Sequence, residues 1–352
     1  MGIGDAASEK LKETVERQAG EHYATFICGV TAYQQSPFKR TIKAPPVLWR
    51  EGTTRVLDFG NKKNGEAVLV IPSLINRYHV LDIETNTSFL RALASRSFRP
   101  LLVDWGEPGR AEQEFTLDDY IKRLQTALAL ANKINNGPVP VIGYCMGGVF
   151  TAALAALEPK KISKLMFLAT PWDFHAGEDT ERQINITQQL LPSLKEWGEL
   201  PIDVMQAFFV MLSPFSVLDK YIRYAAMKPG SPEARSFVLL EDWVNDGVPL
   251  PKNVARDCLQ AWYAENKTAR GTWKVLGKNI KPSQCSIPSL HVIPSRDRIV
   301  PPQSAEALAK LMTHTKVLRP ALGHVSMMAH RSAADTLWPQ LFDWLASPAS
   351  RH

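Results

Sequence analysis

The sequence predicts an α/β fold built on a mostly parallel central sheet, with a helical insertion. Three observations carry this. Short apolar runs rich in β-branched residues recur at 67–71, 100–104, 139–142 and 164–168, the pattern of strands covered on both faces. Stretches of helical spacing separate them, which calls for crossover connections and parallel strands. From about 171 to 285 that rhythm gives way to helical patterns, and it resumes at 288.

In chain order, residues 5–18 are highly charged with helical spacing and read as a surface helix or a partner-binding arm. Residues 25–46 give weak signals. A strand is expected at 55–59, then at 67–71 and 100–104. Thr116 and Asp119 have capping-box spacing. Ile121, Leu124, Leu128 and Ala131 continue a helix that Gly137 stops. The strand at 139–142 runs into Gly143-Tyr-Cys-Met-Gly-Gly148. Ala152, Ala153, Ala155 and Ala156 then suit a helix lying close to a sheet. After the strand at 164–168, helices are expected at 184–191 and 204–212, in a region holding five of the nine Trp residues. A strand at 288–293, a helix at 304–312 and a strand at 316–319 follow. A last helix over 333–345 contains Pro339 and is expected to bend there. The expected segments are therefore 1–45 as an N-terminal helical piece, 46–170 with 286–352 as the core, and 171–285 as a cap.

Composition narrows the function classes. With 352 residues, 45% hydrophobic and 22% charged, the chain has ordinary globular composition and enough apolar material for a sizeable core. No run of about 18 apolar residues occurs, and the start has no apolar h-region, so neither a spanning helix nor an export signal is expected. Met1-Gly2 opens like a myristoylation site, but Ala6 stands where Ser or Thr is wanted. The net charge of +6 favours anionic partners in general, such as CoA phosphates, nucleic acid or anionic lipid surfaces. Its densest groups, Lys39-Arg40 with Lys43, Lys62-Lys63 and Lys160-Lys161, read as solvated surface. No nucleic-acid motif accompanies them. The four cysteines lie far apart without a C-x-x-C pair, which suits a reducing cytoplasm. No histidines pair at metal spacing, and His291 reads as core; neither metal nor cofactor is expected.

Gly143-Tyr144-Cys145-Met146-Gly147 between a strand and a helix is the G-x-[nucleophile]-x-G elbow with Cys in the nucleophile position. The elbow places its side chain at the carboxyl edge of the sheet, and the following helix N-terminus favours a thiolate. It also predicts chain order: nucleophile, acid, histidine, each after a later strand. Asp297 and His324 fill those slots. Each residue alone has an ordinary reading, as buried thiol, turn aspartate or core histidine; their order supplies the catalytic one. The oxyanion donors expected are the N–H of Met146 and the N–H of Leu74 or Ile75, in the loop after the 67–71 strand. A Cys thioester has nearly the transfer potential of acyl-CoA, so Cys suits acyl transfer better than hydrolysis.

These residues resemble the poly(3-hydroxyalkanoate) synthases of the α/β-hydrolase superfamily. Gly143-Tyr-Cys-Met-Gly-Gly148 is similar to that family's G-x-C-x-G-G box. Pro72-Ser-Leu-Ile-Asn-Arg-Tyr-His-Val-Leu-Asp82 is similar to its early loop. Asp104-Trp-Gly106, Asp297-Arg-Ile-Val-Pro301, Gly323-His324 and Glu265-Asn-Lys267 are similar to its further motifs. Tyr144 and Met146 differ from the residues usual beside that cysteine, and Pro302 stands where Trp is common. The resemblance implies an α/β-hydrolase fold with a helical cap. It also implies an acyltransferase that polymerises (R)-3-hydroxyacyl-CoA through a thioester on Cys145, with His324 as base and Asp297 orienting it or helping to activate the incoming 3-hydroxyl. CoA thioester would be substrate, with no cofactor. The short N-terminus resembles the two-component members, which implies a second synthase subunit, a homo-oligomer, and work in the cytoplasm at the polymer granule surface. Two alternatives stay open. One is a Cys-dependent hydrolase (depolymerase, thioesterase or dienelactone hydrolase-like, with Asp173 as acid in a compact version). The other is a non-catalytic granule-associated paralogue.

Overall fold

The computed structural model describes residues 3–60, 65–177, 180–212 and 214–348. The Met1-Gly2 start and the Lys62-Lys63 pair lie outside the described residues. Two compact units emerge, residues 1–41 with 207–242, and residues 42–206 with 243–352.

The larger unit carries an eight-stranded sheet. Its strands are β1 (Val47–Glu51), β2 (Thr54–Asp58), β3 (Glu66–Ile71), β4 (Phe98–Asp104), β5 (Val139–Tyr144), β6 (Ile162–Leu168), β7 (Ser289–Val292) and β8 (Thr315–Leu318). Their order in space is β1-β2-β4-β3-β5-β6-β7-β8. β2 runs antiparallel to β1 and β4, and every pairing from β4 to β8 is parallel. The expected α/β class with a mostly parallel sheet is what forms. The apolar runs fill the middle of the sheet: Leu69, Val70, Ile71, Leu101, Val103, Val141, Ile142, Leu165, Met166 and Leu290 are fully buried. Burying side chains of this size stabilises by about 1.5–3 kcal/mol each.

Register aligns the strand ends. Ile71 pairs with Gly143, Tyr144 with Leu168, Leu168 with Val292, and Val292 with Leu318. The loops that follow these residues therefore leave the sheet side by side. They carry Leu74, Cys145, Asp173, Asp297 and His324, which is where open α/β sheets build sites.

Helix α1 (Ile3–Gln34) belongs to the smaller unit; α2 (Phe89–Ser95), α3 (Leu117–Asn135) and α4 (Met146–Leu157) belong to the larger. The capping box at α3 forms as expected, with the Thr116 N–H donating to Asp119 Oδ2 at 3.0 Å. The stop comes at Asn136, in the left-handed region (φ 53°), just before Gly137. In the insertion, α5 (Thr180–Trp197) and α6 (Ile202–Leu212) cover the expected helical patterns, followed by α7 (Pro214–Ala225) and α8 (Pro232–Asn245). Of its five tryptophans, Trp172, Trp243, Trp262 and Trp273 are buried and Trp197 is exposed.

Three local expectations change. α1 runs on through Gln34, because Gly29 lets it approach α7: a Cβ there would lie 2.1 Å from the Tyr221 carbonyl oxygen. Phe26 and Tyr33 pack on the Tyr221 ring. Second, β1 adds a strand between the stretch of weak signals and the strand expected at 55–59. Third, no bent helix spans 333–345. Instead Arg331–Thr336 and Trp338–Ala346 are separate helices, and Pro339 sits in the first turn of the second, where a missing N–H costs nothing.

Among the cysteines outside the elbow, Cys258 is buried, Cys285 half-buried and Cys28 exposed. His291 is core, stacked on Phe167 at 4.6 Å, and burial drives its pKa down to about 3. No helix among the described residues is long and apolar enough to cross a membrane.

Candidate active site

Cys145 sits between β5 and α4 with φ 55° and ψ −128°. That backbone is strained for a residue with a Cβ, at a cost of about 1–3 kcal/mol. The surroundings hold it there. The Cys145 N–H donates to the Leu168 carbonyl at 2.8 Å, and its own carbonyl accepts the Gly148 N–H at 2.9 Å. Glycine is required beside it: a Cβ on Gly147 would lie 2.1 Å from the Ile71 oxygen, and one on Gly148 would overlap Thr170. The thiol is half-buried and packs against Ile293, Val300, Ala305 and Ala309.

The structure brings His324 and Asp297 together. His324 Nδ1 meets Asp297 Oδ2 at 2.7 Å, and both side chains are buried. Asp297 Oδ1 accepts the N–H groups of Ile299 and Val300, each at 2.9 Å. The carboxylate is thus fully occupied, and Nδ1 must donate to it. Burial opposes charge on the imidazole, but Asp297 and then Cys145 outweigh it, so His324 titrates well above the usual histidine range.

Met146 begins α4, and Leu74 is buried in the loop after β3. The Ile75 N–H is turned onto Ser73 Oγ at 3.2 Å. The early-loop motif also has a mechanical explanation. Trp105 Nε1 donates to the Pro72 carbonyl at 3.1 Å, which ties that loop to the end of β4. Arg77 pairs with Asp246 and Glu107, and Arg91 clamps the buried Asp82 through two nitrogens. Asp104 is held by Arg55 and accepts the Gly106 N–H.

Asp173 faces other partners. Its Oδ1 accepts the His175 N–H and Asn266 Nδ2, at 2.9 and 2.8 Å. Asn266 returns the bond by accepting the Phe174 N–H at 3.0 Å, and His175 Nε2 meets the Tyr263 carbonyl at 2.8 Å. Asn266 adopts φ 48°, a conformation Asn tolerates. The two ends of the insertion are thereby latched together beside the elbow. Sequence reading missed that latch, although the Glu265-Asn-Lys267 stretch was its signal. The segment delivering it, Cys258–Ala264, is π-helical, a winding frequent at functional sites. Among the described residues, no group of His, Cys, Asp and Glu gathers as for a metal ion.

Residues 66–330 match the family model of the α/β hydrolase fold. The chain belongs to that family. Within the α/β hydrolases, it is 26% identical over 310 residues to the poly(3-hydroxyalkanoate) polymerase subunit PhaC of Haloferax mediterranei, covering 85% of this chain and 63% of that one. It is 25% identical over 291 residues to the protein of the same name from Haloarcula marismortui, covering 80% and 61%. The match to the Thiocystis violacea protein is 26% over 284 residues, covering 79% and 80%. The chain thus spans little more than three fifths of the first two relatives. Among solved α/β-hydrolase structures, a fold protein from Nakamurella multipartita superposes with a TM-score of 0.52 at 16% identity, covering 85% of this chain and 99% of that one. An esterase from Exiguobacterium antarcticum gives 0.52 at 13%, covering 87% and 100%. At such identities the structural likeness is one of fold.

Proposed function

We propose that this chain is an acyltransferase that polymerises (R)-3-hydroxyacyl-CoA into poly(3-hydroxyalkanoate) with release of CoA. The observation that carries the reading is a half-buried thiol on a strained elbow beside a buried histidine–aspartate pair, in a chain with relatives named poly(3-hydroxyalkanoate) polymerase subunits.

In this reading Asp297 keeps the Nδ1–H tautomer of His324, so Nε2 takes the Cys145 proton. The thiolate attacks the thioester carbonyl, and the N–H groups of Met146 and Leu74 receive the oxyanion. Collapse expels the CoA thiolate, which takes the proton from His324, and leaves an acyl thioester on Cys145. His324 then removes the 3-hydroxyl proton of the next unit. That oxygen attacks the acyl-Cys carbonyl, one ester bond forms, and the Cys145 thiolate is released and reprotonated. The elongated CoA ester returns to Cys145 by thioester exchange. Each cycle makes one ester and frees one CoA. The Cys145 thioester keeps the activation that an ester on serine would lose.

The same reading takes CoA thioester as substrate with no resident cofactor or metal. It places the chain in the cytoplasm at the polymer granule surface, as a homo-oligomer working with a second synthase subunit. The word "subunit" in the relatives' names supports the last of these.

The test is to supply 3-hydroxybutyryl-CoA and follow free CoA together with insoluble polymer. Stoichiometric CoA and polymer support the proposal. CoA with monomeric acid marks a thioesterase, cleavage of added polymer a depolymerase. No turnover with an unchanged cellular effect of Cys145→Ala marks a non-catalytic paralogue.

A further inference from the structure

The elbow's sharp turn is met by Gly143, Gly147 and Gly148, and nothing in the turn itself requires an aromatic residue at position 144. Tyr144 nevertheless ends β5 directly before Cys145, and its side chain crosses to the histidine loop. Its hydroxyl donates to the main-chain carbonyl of His324 at 3.3 Å. Its ring centroid lies 5.2 Å from the imidazole, with the planes 38° apart. The side chain is buried. Burial first, then the nearby Cys145 and Asp297, hold the phenol well above its usual range, so the hydroxyl stays a donor.

The imidazole is fixed on one side by Asp297. A ring held at a single nitrogen still swings about that bond. Tyr144 supplies a second constraint, and it does so from the strand that carries the nucleophile. An aromatic face within about 6 Å of a cation also attracts it, so the same contact favours imidazolium over imidazole.

We propose that Tyr144 is a positioning residue for His324. Its hydroxyl sets the height of the histidine loop over the elbow. Its ring stabilises the imidazolium that faces the thiolate and hands a proton to departing CoA. Tyr144 itself gains and loses no proton. The proposal rests on the roles given to Cys145 and His324 under the proposed function.

The test separates the two. In a Cys145→Ala background, the imidazole titrates without its thiol neighbour. Its NMR signal is assigned by its loss in His324→Gln. Tyr144→Leu should lower the His324 pKa by about one unit, and Tyr144→Met, which fills the volume with a flexible chain, should do the same if the leucine variant does not fold. Tyr144→Phe keeps the ring and should leave the titration in place. With Cys145 present, Tyr144→Phe should slow kcat several-fold at unchanged KM, through loss of the tether. A folded Tyr144→Leu or Tyr144→Met variant with the parent titration overturns the ring's role; unchanged kcat in Tyr144→Phe overturns the tether. The titration needs no acyl substrate, so a failure of the polymerase reading appears separately, as absent CoA release by the parent protein.

Discussion

Asp297→Asn should cost catalysis far more than stability, and the hydrogen bonds dictate why. Asp297 Oδ1 accepts two backbone N–H groups at 2.9 Å each, from Ile299 and Val300. An amide nitrogen cannot accept them, so the oxygen of the new Asn is pinned to that side. Its NH2 is then aimed at His324 Nδ1, 2.7 Å from the atom it replaces. Nδ1 has to become the acceptor, which moves the ring proton to Nε2. The histidine then offers Cys145 a donor where a base is needed. A triad held in the wrong tautomer loses roughly 10³–10⁴-fold in rate, or about 4–5.5 kcal/mol of transition-state stabilisation. The fold should survive, because both loop hydrogen bonds persist. Asp297→Ala should lose activity and also destabilise the loop by about 2–3 kcal/mol, since two N–H groups lose their acceptor. The assay is initial CoA release from 3-hydroxybutyryl-CoA, with thermal melts of each variant. Asp297→Asn within tenfold of the parent rate would refute the reasoning, because His324 would then be acting without a tautomer set by Asp297.

Gly147→Ala would place a methyl 2.1 Å from the Ile71 oxygen and 2.6 Å from that of Pro72; about 2–4 kcal/mol of destabilisation is expected in urea melts, with weakened CoA release as the Leu74 loop shifts. Asn266→Ala removes both halves of the latch to Asp173 and Phe174 at a left-handed backbone position, for a loss of about 2–3 kcal/mol. Asn266→Gly relieves only the backbone part and should recover about 1 kcal/mol of it in the same melt. His291, with its pKa depressed to about 3 and no partner for Nε2 among the described residues, stays neutral in the fold while the unfolded chain protonates near 6.5. Its contribution is therefore complete above pH 6.5 and fades as pH falls toward 3, by at most about 4–5 kcal/mol. His291→Leu should flatten that limb of a stability-versus-pH series, and an unchanged limb would assign it to other groups.

Chain order made the site legible. An elbow fixes which residue is presented, and the loops after the next strands had few titratable residues to choose among. Strands covered on both faces were equally plain, because full burial leaves no polar residue to blur the run. Exposure concealed the rest. The residues of β1 are exposed except Trp49, which is half-buried, so no apolar run marks it. The end of α1 hides behind Thr25, Gly29, Val30 and Thr31, poor helix formers held by packing on α7. Contacts distant in sequence left no local trace: Tyr144 reaches across 180 positions to His324, and Asn266 across 93 to Asp173.

The smaller unit joins residues 1–41 to residues 207–242, and this has a consequence during synthesis. At about 5–20 residues per second, α1 leaves the ribosome on the order of ten to forty seconds before the helix that covers Phe26 and Tyr33. Throughout that interval Phe26, Gly29 and Tyr33 lack the Tyr221 segment they pack on. A chaperone holding the nascent chain would find its target there, and slowing translation between the codons for Gln34 and Ala207 should lengthen that vulnerable period while leaving the finished protein unaltered.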